Sequence, residues 1–320
     1  MNRLLSSSCR ARRADPIMIS TLVNGILYGM HSEVAGAVKL SSVSTDKILE
    51  HMLDDAHQFD DVLTDSFRKR AVFQVPPYTN SSSYTQKISS LGLFEHVFDY
   101  DSGSIATTDT PAPFFVQGSN LHHAWRLYED KVDVFVVPVI PASMKRPSQL
   151  VPLNLCSADG IWKLVASPSR LNEPTSDSRP LAGKRITIKQ LLDREGLQTT
   201  LASRDFESLY GPSTTTTDYV TKLIELGAVI IGKTKTTQFA TGDNCIDVHR
   251  PTNPQGGEYQ FPEGSTTGGA VSLAACSWEA ASVGTDSGGS IRRVATCNGL
   301  FSLRPSFDTT SLEGVFINSD

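Results

Sequence analysis

A chain of 320 residues with 39% hydrophobic content can bury a sizeable core, carries enough length for two structural units, and is too apolar for a disordered polypeptide. Its formal charge of −5 supplies no broad basic field, which argues against nucleic acid or an anionic membrane as the main partner and favours a small neutral molecule. No run approaches the roughly 20 apolar residues of a membrane-spanning helix, and Cys9, Cys156, Cys245, Cys276 and Cys297 form neither a CxxC pair nor a dense framework, so all five read as free thiols in a reducing compartment.

Residues 1–16 read as a disordered N-terminus. Arg3, Arg10, Arg12 and Arg13 stand among serines without the apolar stretch of a signal peptide, so a cytoplasmic location is expected and a mitochondrial-type leader is the weaker reading. From Ile48 to Phe67 the apolar residues recur at helical spacing. Leu91 to Tyr100 reads as a strand or a helix end, residues 101–120 as loop, and Leu121 to Glu129 as helix. Val132 to Ile140 reads as a buried strand interrupted by Pro138.

Ser167 to Pro180 is the best linker, which divides the chain into an N-terminal region over 17–170 and a second domain over 171–320. Beyond the linker the grammar becomes α/β. Arg185 to Lys189 reads as a short strand, Thr217 to Leu226 as an amphipathic helix ended by Gly227, and Ala228 to Ile231 as a buried strand.

Four clusters in this half carry candidate chemistry: Lys189 at its strand end, Gly232-Lys233-Thr234, the run Gly264 to Gly269, and the run Gly284 to Arg292. Two glycines directly before Ser290 allow backbone N–H groups to converge, as an oxyanion hole requires, although the same tripeptide is common in ordinary turns. The Gly264 to Gly269 run leads into a small-residue helical segment, Ala270 to Ser282. It reads either as a capped, buried helix or as an anion-binding helix start, with nucleotide binding the weaker option because GxxxxGK[ST] is absent. A serine nucleophile needs a base. His249 is the only histidine beyond position 123 and lies in a proline-flanked loop without an evident orienting carboxylate, so a lysine lowered in pKa by burial takes its place. Lys189 fits best, with Lys233 and Lys235 as alternatives.

Together these segments resemble the amidase signature family, most closely its fungal amidase-like branch. The resemblance is carried by PLAGKRITIK, GLQTT, TDYVTKLIELGAVIIGKTKTTQFA, NPQGGEYQFPEGSTTGG and GTDSGGSIRRVATCNGLFSLRP. It implies an α/β fold with an amidase-signature-type mixed sheet flanked by helices, incomplete at the C-terminus and preceded by a smaller α+β N-terminal region. It further implies a hydrolase that cleaves carboxylic amide C–N bonds through an acyl-enzyme, with a small-molecule amide as substrate and neither cofactor nor metal; it leaves the oligomeric state open. Carried over, the catalytic residues are Lys189, Thr266 and Ser290. The oxyanion hole is formed by the backbone of Ser287, Gly288 and Gly289 with Ser290, and Asp286, Arg292, Ser265 and Thr267 give structural support.

Three departures from the family pattern stand out. Thr266 replaces a serine at the relay position, and the alternative register brings Ser265 into play. Arg293-Val294 replaces a small residue and a proline. The chain ends soon after Ser290, so the competing reading is a truncated, catalytically inactive homologue, and a third is an anion-binding α/β module.

Overall fold

The structure is a computed structural model and describes residues 18–23, 26–31, 60–64, 67, 70–74, 86, 89–90, 96–100, 113–117, 120–143, 146–172, 175–242, 244–255, 261–262 and 264–317. Two compact units are present, one containing Asp15–Leu127 with Ser167–Ser176 and the other Tyr128–Ala166 with Asp177–Asp320.

In the first unit, β1 (Met18–Val23) and β2 (Ile26–His31) form an antiparallel pair, and β3 (Arg70–Gln74) runs parallel to β4 (His96–Tyr100). The Leu91 to Tyr100 segment is thus a strand over its described part. Within the expected loop, β5 (Phe114–Gln117) pairs antiparallel with β6 (Asn120–Glu129), and β6 also pairs with β2. The helix expected from Leu121 to Glu129 is therefore a strand. Ala124, Trp125 and Leu127 are buried from both faces of the strand, and ladder pairing with β2 on one side and β5 on the other overrides helical propensity here. Of the helix expected from Ile48 to Phe67, residues 48–59 lie outside the described residues. Asp60 to Thr64 is not helical, because the Asp60 carboxylate accepts the Leu63 N–H at 2.8 Å and offers the backbone a side-chain partner in place of a helical one. Tyr28, Val62 and Ala124 form the buried centre of this unit, with Phe67 and Phe115 edge-on to Tyr28.

The second unit contains β7 (Phe135–Ser143), β8 (Arg146–Pro152), β10 (Arg185–Lys189), β11 (Val229–Thr234) and β12 (Ala281–Val283), with β9 (Leu164–Pro168) preceding β10 in the chain. β7, β8, β10, β11 and β12 make a mixed sheet in the order β12-β10-β11-β7-β8, while β9 pairs with β6. β10 runs parallel to both β11 and β12, while β7 is antiparallel to β11 and β8. Pro138 does not interrupt β7; the strand pairs through it, opposite Gly232.

Helices cover both faces of this sheet: α1 (Arg204–Leu209), α2 (Asp218–Glu225), α3 (Thr267–Ala275) and α4 (Arg292–Cys297) follow in chain order. Val220 of α2 packs with Ile186, Ile188 and Ile230, and Val271 of α3 packs with Phe135, Ile231 and Trp278 on the other side. This is the helix-flanked mixed sheet that the sequence leads one to expect. Gly227 ends the α2 segment at φ +98°, where a Cβ would lie 2.8 Å from the Ala182 backbone nitrogen, so both the turn and the close approach require glycine.

All five residues of β10 are buried, and its two faces differ in kind. Ile186 and Ile188 join the apolar cluster under α2. Arg185, Thr187 and Lys189, on the alternate face, meet polar partners from the segment 278–285 and from the approach to α3.

Candidate active site

Because β10, β11 and β12 are parallel, their C-terminal ends and the loops that follow gather at one edge of the sheet, where α/β proteins commonly bind ligands. Lys189 is the last residue of β10 and is fully buried. Its Nζ lies 2.7 Å from Ser265 Oγ and 2.8 Å from Thr285 Oγ1, one hydroxyl from the approach to α3 and one from the loop after β12. Burial pushes the amine down to about 7, with the charge of Asp286 opposing the shift. A lysine in this state is neutral for part of the time at neutral pH and can accept a proton.

The loop Gly284 to Ser290 is held by one carboxylate. Asp286 accepts the backbone N–H groups of Gly289, Ile291 and Arg292 at 2.8, 3.1 and 3.0 Å, and takes Arg292 Nε and Nη2 at 3.0 and 2.9 Å. Burial of Asp286 opposes ionisation, but these donors outweigh it and hold the carboxyl well below the usual carboxylate range. The Asp286–Arg292 pair therefore braces the loop. The Gly289 N–H is committed to Asp286, whereas the N–H groups of Ser287, Gly288 and Ser290 donate to none of the described residues. Arg293 and Val294 continue as helix α4, with Val294 buried.

Ser290 lies at the approach to α4, with its carbonyl accepting the Thr266 N–H at 3.2 Å. Its Oγ makes no hydrogen bond among the described residues. The Thr266 hydroxyl does not meet Lys189; it donates to the Thr285 carbonyl at 3.3 Å. Gly284 leaves the room that the Thr266 side chain occupies, since a Cβ at 284 would lie 2.8 Å from Thr266 Oγ1 and closer still to its methyl carbon. Thr267 opens α3, buried, with its hydroxyl unpartnered among the described residues. The structure thus brings Lys189, Ser265 and Thr285 into direct contact and sets Thr266 and Ser290 beside each other through their backbones.

The alternative bases are engaged elsewhere. Lys233 pairs in register with Ile188, so its side chain lies on the α2 face of the sheet, opposite to Lys189. Its Nζ reaches Gln198 O at 3.2 Å and Thr199 Oγ1 at 2.9 Å. Lys235 forms an ion pair with Asp133 at 2.6 Å and donates to the His249 carbonyl. His249 itself is exposed.

Two residues of this neighbourhood escaped the reading of the sequence. Thr285 stands between Gly284 and Asp286, and only its hydroxyl type, beside a glycine-rich loop, hinted at a polar contact. Glu279 follows α3 and is buried, accepting Thr187 Oγ1 at 2.5 Å and also the Ser272 hydroxyl, while Thr187 Oγ1 further contacts Ser282 Oγ at 2.8 Å. Burial pushes the Glu279 carboxyl up to about 8, with its hydroxyl partners opposing the shift. No pattern in the chain marks a lone acid in that place.

Among the described residues, no group of three or more His, Cys, Asp or Glu side chains is arranged to hold a metal ion, and no helix is long and apolar enough to cross a membrane. Cys156, Cys245, Cys276 and Cys297 are free thiols.

The family model described as Amidase matches residues 156–319, which span the sheet edge, the glycine-rich runs and α4. The match covers more than half of the chain, and the chain belongs to this amidase signature family. Among curated proteins it is similar to the Glutamyl-tRNA(Gln) amidotransferase subunit of Saccharolobus solfataricus, with 38% identity over 146 residues, 45% of this chain and 30% of that protein. The corresponding protein of Synechococcus sp. is 40% identical over 156 residues, 47% of this chain and 31% of that protein. The chain therefore spans about a third of the length of the curated relatives it matches. Among solved structures, the Glutamyl-tRNA(Gln) amidotransferase subunit from Thermotoga maritima matches over 47% of this chain and 32% of that one, at 28% identity and a TM-score of 0.41.

Proposed function

We propose that the chain carries the site of a serine hydrolase for carboxylic amides, with Ser290 as nucleophile, Lys189 as base and a hydroxyl from residues 265–266 between them. The observation that supports this reading most directly is the buried Lys189 amine, shifted to about 7 and set between two hydroxyls at the strand edge that also carries Ser290. In the forward step Ser290 Oγ attacks the amide carbonyl while its proton passes through the intervening hydroxyl to Lys189. Charge developing on the carbonyl oxygen is met by the N–H groups of Ser287, Gly288 and Ser290, with the Gly289 N–H spent on holding the loop to Asp286. Lys189 then returns the proton to the departing amine, and water hydrolyses the ester. The substrate class is a small carboxylic amide. Labelling by a fluorophosphonate probe tests the assignment: the unmodified chain is expected to be labelled and Ser290→Ala to stay unlabelled, and persistent labelling of a folded Ser290→Ala protein would reject it.

Placement in the fungal amidase-like branch is a finer part of the same proposal and rests on the motif order from PLAGKRITIK to GTDSGGSIRR. A second reading, in which this polypeptide is a truncated and inactive homologue by itself, is favoured by one observation. Phe301, Leu303 and Phe307 are 104%, 81% and 88% exposed, a concentration of bare apolar side chains that further polypeptide would normally cover. On that reading, labelling appears only after the chain is extended by amidase-like sequence.

A further inference from the structure

We propose that Glu279 is a positioning residue for Lys189: its buried carboxyl ties β10, β12 and α3 to one another through hydroxyls and so holds Ser265 and Thr285 against the lysine amine. The effect on labelling rests on the hydrolase reading above, whereas the effect on the contacts of Lys189 is measured apart from it.

The contacts of Lys189 come from three elements, and Glu279 is bonded into the same three. Lys189 ends β10, Ser265 lies just before α3 and Thr285 just after β12. One carboxyl oxygen of Glu279 lies 2.5 Å from Thr187 Oγ1, on the same face of β10 and two residues before Lys189. The other oxygen takes the Ser272 hydroxyl of α3. Thr187 Oγ1 is in turn 2.8 Å from Ser282 Oγ of β12, three residues before Thr285. The turn that carries Glu279 is fixed as well, with the Ala280 N–H donating to the Arg185 carbonyl at 2.9 Å. Ser282 also abuts α3, since a Cβ at Gly269 would run into its hydroxyl and stand 3.4 Å from the Thr266 methyl carbon.

Thr187 has one hydroxyl proton but two oxygen neighbours, so on one side it accepts. A protonated Glu279 donates to Thr187, Thr187 donates to Ser282, and Ser272 donates to the second carboxyl oxygen; the three elements are joined and no charge is buried. An ionised Glu279 has no proton to give. Thr187 then turns to the carboxylate, Ser282 has to reverse its own hydroxyl, and the buried charge has hydroxyl donors but no ion pair among the described residues. The protonated form is thus the one that suits the packing. In keeping with this, burial raises the carboxyl to about 8 against the opposing effect of its hydroxyl partners.

The surroundings supply little that could compete for this role. Neither α3 nor β12 brings an acidic or basic side chain to the cluster. From β10 come Lys189 and Arg185, whose Nη1 donates to the Trp278 carbonyl at 3.2 Å. At the end of α3, burial pushes the Cys276 thiol up to about 12, with the charges of Glu279 and Asp130 adding to the shift. Tyr128 stacks on Trp278 at 4.6 Å.

The test uses the full chain with Glu279→Ala, Glu279→Gln and Thr187→Val, the last exchanging a hydroxyl for a methyl of the same shape. Two readouts are followed against pH: the rate of fluorophosphonate labelling, and the backbone amide NMR signals of Ser265 and Thr285. In the unmodified chain labelling is expected to fall as pH rises above about 8, with both amide signals shifting at the same midpoint. Glu279→Ala and Thr187→Val are expected to slow labelling about ten-fold at neutral pH and to displace both signals. Glu279→Gln, a neutral side chain that still donates and accepts, should restore most of the lost rate and abolish both the fall and the shift at high pH. The proposal is overturned if the Ser265 and Thr285 signals ignore the ionisation of Glu279, or if Glu279→Gln retains the high-pH fall. Absence of labelling in the unmodified chain removes the hydrolase reading instead, and the two amide signals still decide whether Glu279 positions the partners of Lys189.

Discussion

Lys189 and Lys233 stand on adjacent strands, both fully buried and both pushed down to about 7 by burial, yet they are placed for different work. Lys189 faces hydroxyls at the sheet edge beside the Ser290 loop. Lys233, on the opposite face, pins the segment after β10 through Gln198 O and Thr199 Oγ1, with Thr199 in turn donating to Asp193 at 2.6 Å. A lowered pKa therefore follows from burial and does not by itself mark a base. What separates the two amines is whether a second, transferable proton lies within reach.

Replacing each lysine by methionine separates the two amines most strongly. Lys189→Met is expected to slow fluorophosphonate labelling about a thousand-fold, while Lys233→Met stays within a few-fold of the unmodified chain. Equal losses would erase the distinction.

The pH profile sharpens it next. Labelling of the unmodified chain should rise with pH through about 7, because only the neutral Lys189 amine accepts a proton, and Lys233→Met should keep that midpoint.

Stability should treat the two lysines alike. Each binds fewer protons in the folded state than in the unfolded chain between about 7 and 10.5, so stability rises with pH across that window and is lost as pH falls through 7. The slope is about 1.4 kcal/mol per pH unit for each lysine, and either methionine variant should remove one such contribution from the melting curves. Glu279 has the opposite sign. Its carboxyl is raised from 4.5 to about 8, so its contribution is full below 4.5 and is lost as pH rises through 8. Glu279→Gln should flatten that decline, and an unchanged melting profile in that variant would show that the carboxyl titrates as an exposed one does.

The smallest expected effect is local. Gly284→Ala drives a Cβ into Thr266 and should cost about 1–3 kcal/mol, part of which a second substitution, Thr266→Ser, recovers by removing the methyl. Thermal denaturation of the single and double variants measures the recovery.

Much of the second unit was legible because its signals are local. RITIK is β10, and the amphipathic TDYVTKLIEL is α2 with its caps at Thr217 and Leu226. The helical segment expected from Ala270 to Ser282 begins earlier, at Thr267, and ends at Ala275, with the chain entering β12 at Ala281. The first unit was less legible. Leu121 to Glu129 has ordinary helical content, and pairing with β2 and β5 made it a strand. Pro138 cannot donate to a ladder, yet β7 runs through it.

By itself the sequence determined the helix-flanked α/β sheet, the family and the identity of Lys189 as the lysine at a strand end, because strand period, helix period and glycine-rich turns are written in neighbouring residues. Only the tertiary structure decided that Lys189 meets Ser265 and Thr285, that Thr266 turns to a carbonyl, that Gly289 gives its N–H to Asp286, and that Lys233 faces the other way. Those contacts join residues as far apart as 76 and 96 positions, and such pairings depend on strand register and loop path, which no local pattern encodes.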